Sequence, residues 1–232
     1  MKTPPFTVCI FDVNGVLIDS NLANARAMGE AFTDDPQTRD RIAQRYLQMT
    51  GINRGEKIRS IQAQVIGRPF KDGEFEARWE RFKTLAHRAM TRAPLAPGAM
   101  EVLKELAKRR VRRAALSNTP LAELQEILAV RRLQELLDIV RGGGNWPKSE
   151  SLLRLLREFH LPPGECLFLG DGRGDLDAAR SAGVRFVAID AGTGEFSNEQ
   201  GFDGPYRNLG AWGVEFLGIR MQKESAFQLE ER

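Results

Sequence analysis

Apolar positions along the chain follow two alternating periodicities. Short runs rich in β-branched, aromatic and leucine residues fall at Phe6–Phe11, Arg113–Leu116, Asp138–Val140, Glu165–Leu169 and Val184–Ile189, and read as strands. Amphipathic helical spacing marks Gly98–Lys108, Pro120–Ala129, Ser149–Phe159 and Gly174–Ala182. Pro97-Gly98, Leu161-Pro162-Pro163-Gly164 and Ala182-Gly183 punctuate these elements, with proline near starts and glycine near ends. Such alternation predicts an α/β fold, a parallel sheet with right-handed crossovers.

Between the first strand and Leu95 the pattern changes. From about Asn21 to Met90 only helical spacing occurs, broken at Asp34-Asp35-Pro36, Thr50-Gly51 and Gly67-Arg68-Pro69. That stretch is too long for an ordinary crossover. It predicts a smaller helical cap domain at 20–92, inserted into an α/β core made of 1–19 and 93–232. The part from about Gly192 onward is glycine-rich and reads as irregular, with a short apolar piece after Leu209.

Four polar groups fall where strands are expected to end: Asp12, Ser117-Asn118-Thr119, Lys148 after a glycine-rich loop, and Asp171 in Gly170-Asp171-Gly172-Arg173-Gly174-Asp175. Open parallel sheets place ligand sites at the carboxyl ends of their strands, so four such groups on one edge point to an active site. Phe11-Asp12-Val13-Asn14-Gly15-Val16-Leu17 resembles the first signature of the haloacid dehalogenase superfamily, usually Asp-x-Asp-Gly-[Thr/Val]-[Leu/Ile]. Ser117, Lys148 and the Gly170-Asp171/Asp175 pair are similar to its remaining motifs in order and spacing. The resemblance covers about residues 6–190 and looks closest to phosphoglycolate-phosphatase-like and phosphosugar-mutase-like members. It implies a Rossmann-like core with a helical cap.

The resemblance further implies a phosphatase acting on a small phosphorylated metabolite. Asp12 would attack phosphorus to give an aspartyl-phosphate that water hydrolyses. Mg²⁺ would be held by Asp12, Asp171 and the backbone carbonyl of Asn14, with Asp175 a further ligand or the residue that orients its waters, a hard-oxygen set suited to that ion. Lys148 would neutralise charge between nucleophile and phosphate, while Ser117 and Asn118 would hold phosphoryl oxygens. Gly51, Arg54 and Lys57 resemble the substrate-specificity loop of phosphosugar-handling caps, where a cation would meet an anionic part of the substrate.

Asn14 departs from the family pattern. The aspartate usually found there protonates the leaving alkoxide and later deprotonates the attacking water, which an amide cannot do. General acid–base catalysis typically contributes about 10²–10⁴-fold, and that factor is what Asn14 puts at stake. A substituted acid, a low-activity member, and chemistry needing no acid at this position all fit. A non-catalytic metabolite-binding protein and a phosphosugar mutase are the other readings. Phosphonoacetaldehyde hydrolases also lack the acid and use a cap lysine as a Schiff base; Arg54 stands where that lysine would, and Lys57 lies one turn on.

Composition narrows the rest. Among 34 basic residues, 26 are arginine, and the net charge is +3. The arginines are scattered without interleaved aromatics, so a nucleic-acid partner is not expected. No apolar run of membrane-spanning length occurs, and Met1–Pro5 lacks a long apolar stretch, so a cytoplasmic protein is expected. Cys9 and Cys166 sit inside apolar runs and are expected to be reduced core thiols. Gly142 to Ser149 is one residue from a nucleotide-binding loop, but Pro147 removes an N–H where that loop must curl around phosphate.

Overall fold

A computed structural model describes residues 5–143, 146–191 and 193–221. The N-terminal Met1–Pro4, Gly144 and Asn145 of the glycine-rich loop, Gly192, and the chain beyond Met221 lie outside the described residues. Six parallel strands form one sheet: β1 (Val8–Phe11), β2 (Arg112–Pro120), β3 (Ile139–Gly143), β4 (Cys166–Gly170), β5 (Arg185–Ile189) and β6 (Asp203–Tyr206), in the order β3-β2-β1-β4-β5-β6. The chain leaves β1 to one side for β2 and β3, then crosses back to β4 on the other. The switch point therefore lies between β1 and β4, where Asp12 and Asp171 follow their strands.

Successive strand residues point to opposite faces, so each side of the sheet builds its own core. Cys9 and Phe11 pack with Leu103, Leu106, Leu124, Ile127 and Trp212 beneath α5 (Ala99–Lys108) and α6 (Leu121–Val130). Val8 and Ile10 pack on the other side with Leu152, Leu155, Phe168 and Leu176, beneath α7 (Lys148–Glu158) and α8 (Arg173–Ala182). Both cysteines are free and buried in these layers.

The elements between β1 and α5 are helices: α1 (Asn21–Phe32), α2 (Pro36–Leu47), α3 (Arg54–Ile61) followed by one π turn, and α4 (Glu74–Arg92). This cap has a separate core of Met28, Phe32, Ile42, Met49, Ile58, Ile61 and Phe82. Its helix starts are written in short polar residues. Asp35 accepts the Thr38 N–H at 2.8 Å ahead of Pro36, and Asn53 accepts the Glu56 N–H at 2.9 Å.

Two expectations need correction. Ser117-Asn118-Thr119 does not follow β2 but lies within it: the strand continues through a register shift and pairs again at Pro120 with Gly143. A bulge bends its strand, increases the local twist and re-aims side chains. The region after Gly192 is also less irregular than its glycines suggest. Asp203–Tyr206 joins the sheet as an edge strand, a place where Pro205 costs no interior ladder bond. The next turn, α9 (Leu209–Trp212), buries Trp212 against Phe6 and Phe216. Trp212→Ala is expected to cost about 3–5 kcal/mol in urea-induced unfolding; a loss below about 1 kcal/mol would show that this segment is not part of the cooperative core.

Candidate active site

The site is built at the strand ends. The Asp12 N–H bonds Leu169 O at 2.9 Å, which seats the end of β1 against β4. Asp171 follows β4, and Asp175 sits in the first turn of α8 with its carboxylate accepting the Gly172 N–H at 3.2 Å. Lys148 opens α7. Its Nζ lies 2.6 Å from Asp12 Oδ1 and 2.5 Å from Asp175 Oδ1, with only 4% of the side chain exposed. Carboxylate oxygens of Asp12, Asp171 and Asp175 come within 4.8 Å of one another.

Three carboxylates gathered this closely perturb one another. Burial pushes Asp12 up to about 6, with Lys148 opposing and Asp175 reinforcing the rise. Burial and the Asp12 and Asp175 charges push Asp171 well above the usual carboxylate range. Burial works against the charge of Lys148, but Asp12 and Asp175 outweigh it and hold this ammonium firmly protonated. Lys148 thus pairs with two of the three acids, and a divalent cation with oxygen preference would answer the carboxylate charge left over.

Glycine makes the cluster possible. Gly15 has φ +81°, and a Cβ there would stand 2.0 Å from Asp171 Oδ2 and 2.4 Å from Asn21 Nδ2. Gly51, with φ +70°, brings the cap loop onto α8, where its Cβ would meet Gly174 Cα at 2.7 Å. Asn118 Nδ2 donates to Gly51 O at 3.0 Å, and Thr50 Oγ1 donates to Glu195 Oε1 at 2.5 Å, so the loop is tied to the core on two sides.

A cavity of about 80 Å³ lies between core and cap. Asp12, Asn14, Asn118, Lys148 and Asp171 line it from the core, and Tyr46, Arg54 and Lys57 from the cap. Ser117 is not among its lining residues: its hydroxyl is buried and accepts the Thr119 N–H at 3.1 Å. Asp175 is fully buried behind Lys148. Lys57 stands 3.9 Å from the Tyr46 ring centre, and burial lowers its ammonium to about 8. Arg54 is paired with Glu123 of α6.

Three residues at the start of the cap were not singled out by motif. Ser20 Oγ and Asn24 Nδ2 both donate to Asn14 Oδ1, at 2.8 and 3.2 Å. Asn21 Nδ2 donates to Asp171 Oδ2 at 2.5 Å. Their signal was positional: three short polar residues in the first turn of the helix leaving the Asp12 loop.

The profile of haloacid dehalogenase-like hydrolases matches residues 6–183. The chain belongs to this family. It is 30% identical over 216 residues to a phosphoglycolate phosphatase of Rhodospirillum rubrum, covering 88% of this chain and 85% of that one. A phosphoglycolate phosphatase of Pseudomonas fluorescens is also 30% identical, over 137 residues, but that match spans 57% of this chain and only 49% of the relative's length. Among solved structures, a predicted phosphoglycolate phosphatase of Haemophilus somnus 129pt superposes with a TM-score of 0.73 at 19% identity, over 94% of this chain and all of that one (100%). The fold of this chain is therefore that of its family, and the phosphatases are its relatives.

Charge crowding gives a direct test. Asp171 is raised in the folded protein, so its contribution favours folding below the unfolded value near 3.8 and is lost as pH rises through the raised value. In EDTA at pH 7.5, Asp171→Asn is expected to raise Tm, each kcal/mol of relieved repulsion being worth about 2–4 °C. The gain should shrink towards pH 4, and Mg²⁺ should raise the parent's Tm more than the variant's. A variant that melts below the parent in EDTA at pH 7.5 would show that no such repulsion is stored.

Proposed function

We propose that this hydrolase is a Mg²⁺-dependent phosphatase of a small phosphomonoester, working through an aspartyl-phosphate on Asp12 and attenuated at residue 14. The observation that carries the reading is the convergence of Asp12, Asp171 and Asp175 on one point, with Lys148 bridging two of them. The relatives named phosphoglycolate phosphatases support the same reaction class.

Asp12, Asp171 and Asp175 would hold the metal, with Asn14 contributing its backbone carbonyl as family resemblance implies. A bound divalent cation supplies the positive charge that lets a carboxylate approach a phosphate dianion. Lys148 keeps Asp12 Oδ1 oriented and offers a fixed positive charge beside the attacked phosphorus. Asn118 and Lys57, on opposite walls of the cavity, offer donors to phosphoryl oxygens or to the rest of the substrate. The cap loop at Thr50-Gly51 shields the site from water.

Asn14 limits this sequence of steps. Its carbonyl oxygen is occupied by Ser20 and Asn24, so its amide can donate a hydrogen bond but cannot exchange a proton. The same two donors would equally receive a carboxylate. Asn14→Asp is therefore expected to raise turnover of p-nitrophenyl phosphate by roughly 10²–10⁴-fold in Mg²⁺, while Asp12→Ala abolishes it. An Asn14→Asp variant no faster than the parent would remove residue 14 from the mechanism. Because the Asn14 amide cannot exchange a proton, a phosphate-binding protein without turnover is the second reading; it is favoured if neither form hydrolyses the ester while inorganic phosphate still binds.

A further inference from the structure

Asn21 opens α1, the helix by which the chain enters the cap. The start of that helix takes no side-chain cap from Ser20, whose hydroxyl goes to Asn14 Oδ1. The Asn21 side chain likewise serves the core: Nδ2 donates to Asp171 Oδ2 at 2.5 Å, across 150 residues of sequence. Both side chains line the cavity. Gly15 leaves room for the pair, since a Cβ there would overlap both atoms.

Among the three acids, Asp171 stands apart. Lys148 holds Asp12 and Asp175, whereas Asp171 has no ion pair among the described residues. The Asn21 amide makes the only hydrogen bond that its carboxylate receives there. Repulsion from Asp12 and Asp175 would turn a free Asp171 side chain away from the cluster, and the amide opposes that rotation. A neutral donor suits the task. A lysine or arginine in its place would orient the carboxylate but also answer the charge that a divalent ion needs. An amide orients it, leaves that charge in place, and leaves carboxylate lone pairs for an ion.

We propose that Asn21 is a positioning residue for the metal site: its amide keeps the Asp171 carboxylate beside Asp12 and Asp175, so that part of the affinity for Mg²⁺ is set from the cap. The proposal rests on the metal-site reading above. It goes past that reading by giving a share of the metal's affinity to a residue outside the ligand set and outside the core.

Calorimetric titration of Mg²⁺ into the metal-free 232-residue chain at pH 7.5, without substrate, tests this. Asn21→Ala is expected to weaken Mg²⁺ binding by about 10–100-fold, while its Tm in EDTA stays within about 4 °C of the parent's. Asn21→Leu keeps the bulk without the donor; it is expected to lose affinity likewise, and it carries the test if Asn21→Ala fails to fold. Leu22→Ala, at an exposed position on the same turn, controls for damage to the helix and is expected to hold the parent's affinity within about twofold. A loss smaller than about tenfold in both Asn21 variants, or a loss that Leu22→Ala reproduces, overturns the proposal. So does a fall in affinity that only tracks a fall in Tm in EDTA, the mark of a structural role. A parent chain that binds no Mg²⁺ overturns the metal-site reading and this proposal together. Affinity is read apart from turnover, so absent hydrolysis of p-nitrophenyl phosphate counts against the phosphatase reading alone.

Discussion

Mutual repulsion among buried carboxylates is the constraint around which this molecule is arranged. Asp12, Asp171 and Asp175 are brought together by the ends of β1 and β4 and the first turn of α8, and Lys148 answers only part of their charge. Such a cluster is unfavourable in a low-dielectric setting unless the rest of the fold holds it in place. The hydrophobic layers on both faces of the sheet do so, because the register of β1 against β4 cannot slip without turning Cys9 and Phe11 out of one core and Val8 and Ile10 out of the other. Stability stored in the sheet interior thus keeps a strained edge available for chemistry.

Much of the core was legible from periodicity. Every strand up to Ile189 and each helix of the sheet layers lies within a few residues of its expected span, because buried parallel strands and amphipathic helices leave opposite patterns in the sequence. What escaped was structure whose cause is tertiary. Asp203–Tyr206 contains glycine and proline, which read as breakers, and becomes a strand only because β5 offers it an open edge. The continuation of β2 through Ser117-Asn118-Thr119 depends on Gly143 of β3, more than twenty residues away in the chain.

The site divides along the same line. Asp12, Lys148, Asp171 and Asp175 could be placed because strand ends and motif spacing converge on them. The contacts that tune them could not. Nothing in local sequence pairs Asn21 with Asp171, or sets Ser20 and Asn24 against Asn14. Arg54 was legible as a cation near the substrate, yet its partner Glu123 lies on an exposed-looking turn of a core helix and is found only when the cap is folded over it. Charge type is readable from sequence; whether a charge is already answered is not.

The first turn of α1 is both the start of the cap and part of the site, since Ser20, Asn21 and Asn24 bond residue 14 and Asp171 directly. A swing of the cap that pivots at this turn would withdraw those donors and leave Asn14 and Asp171 to re-pair with solvent. Any movement of the cap at this turn would therefore also disturb the contacts that align residue 14 and Asp171.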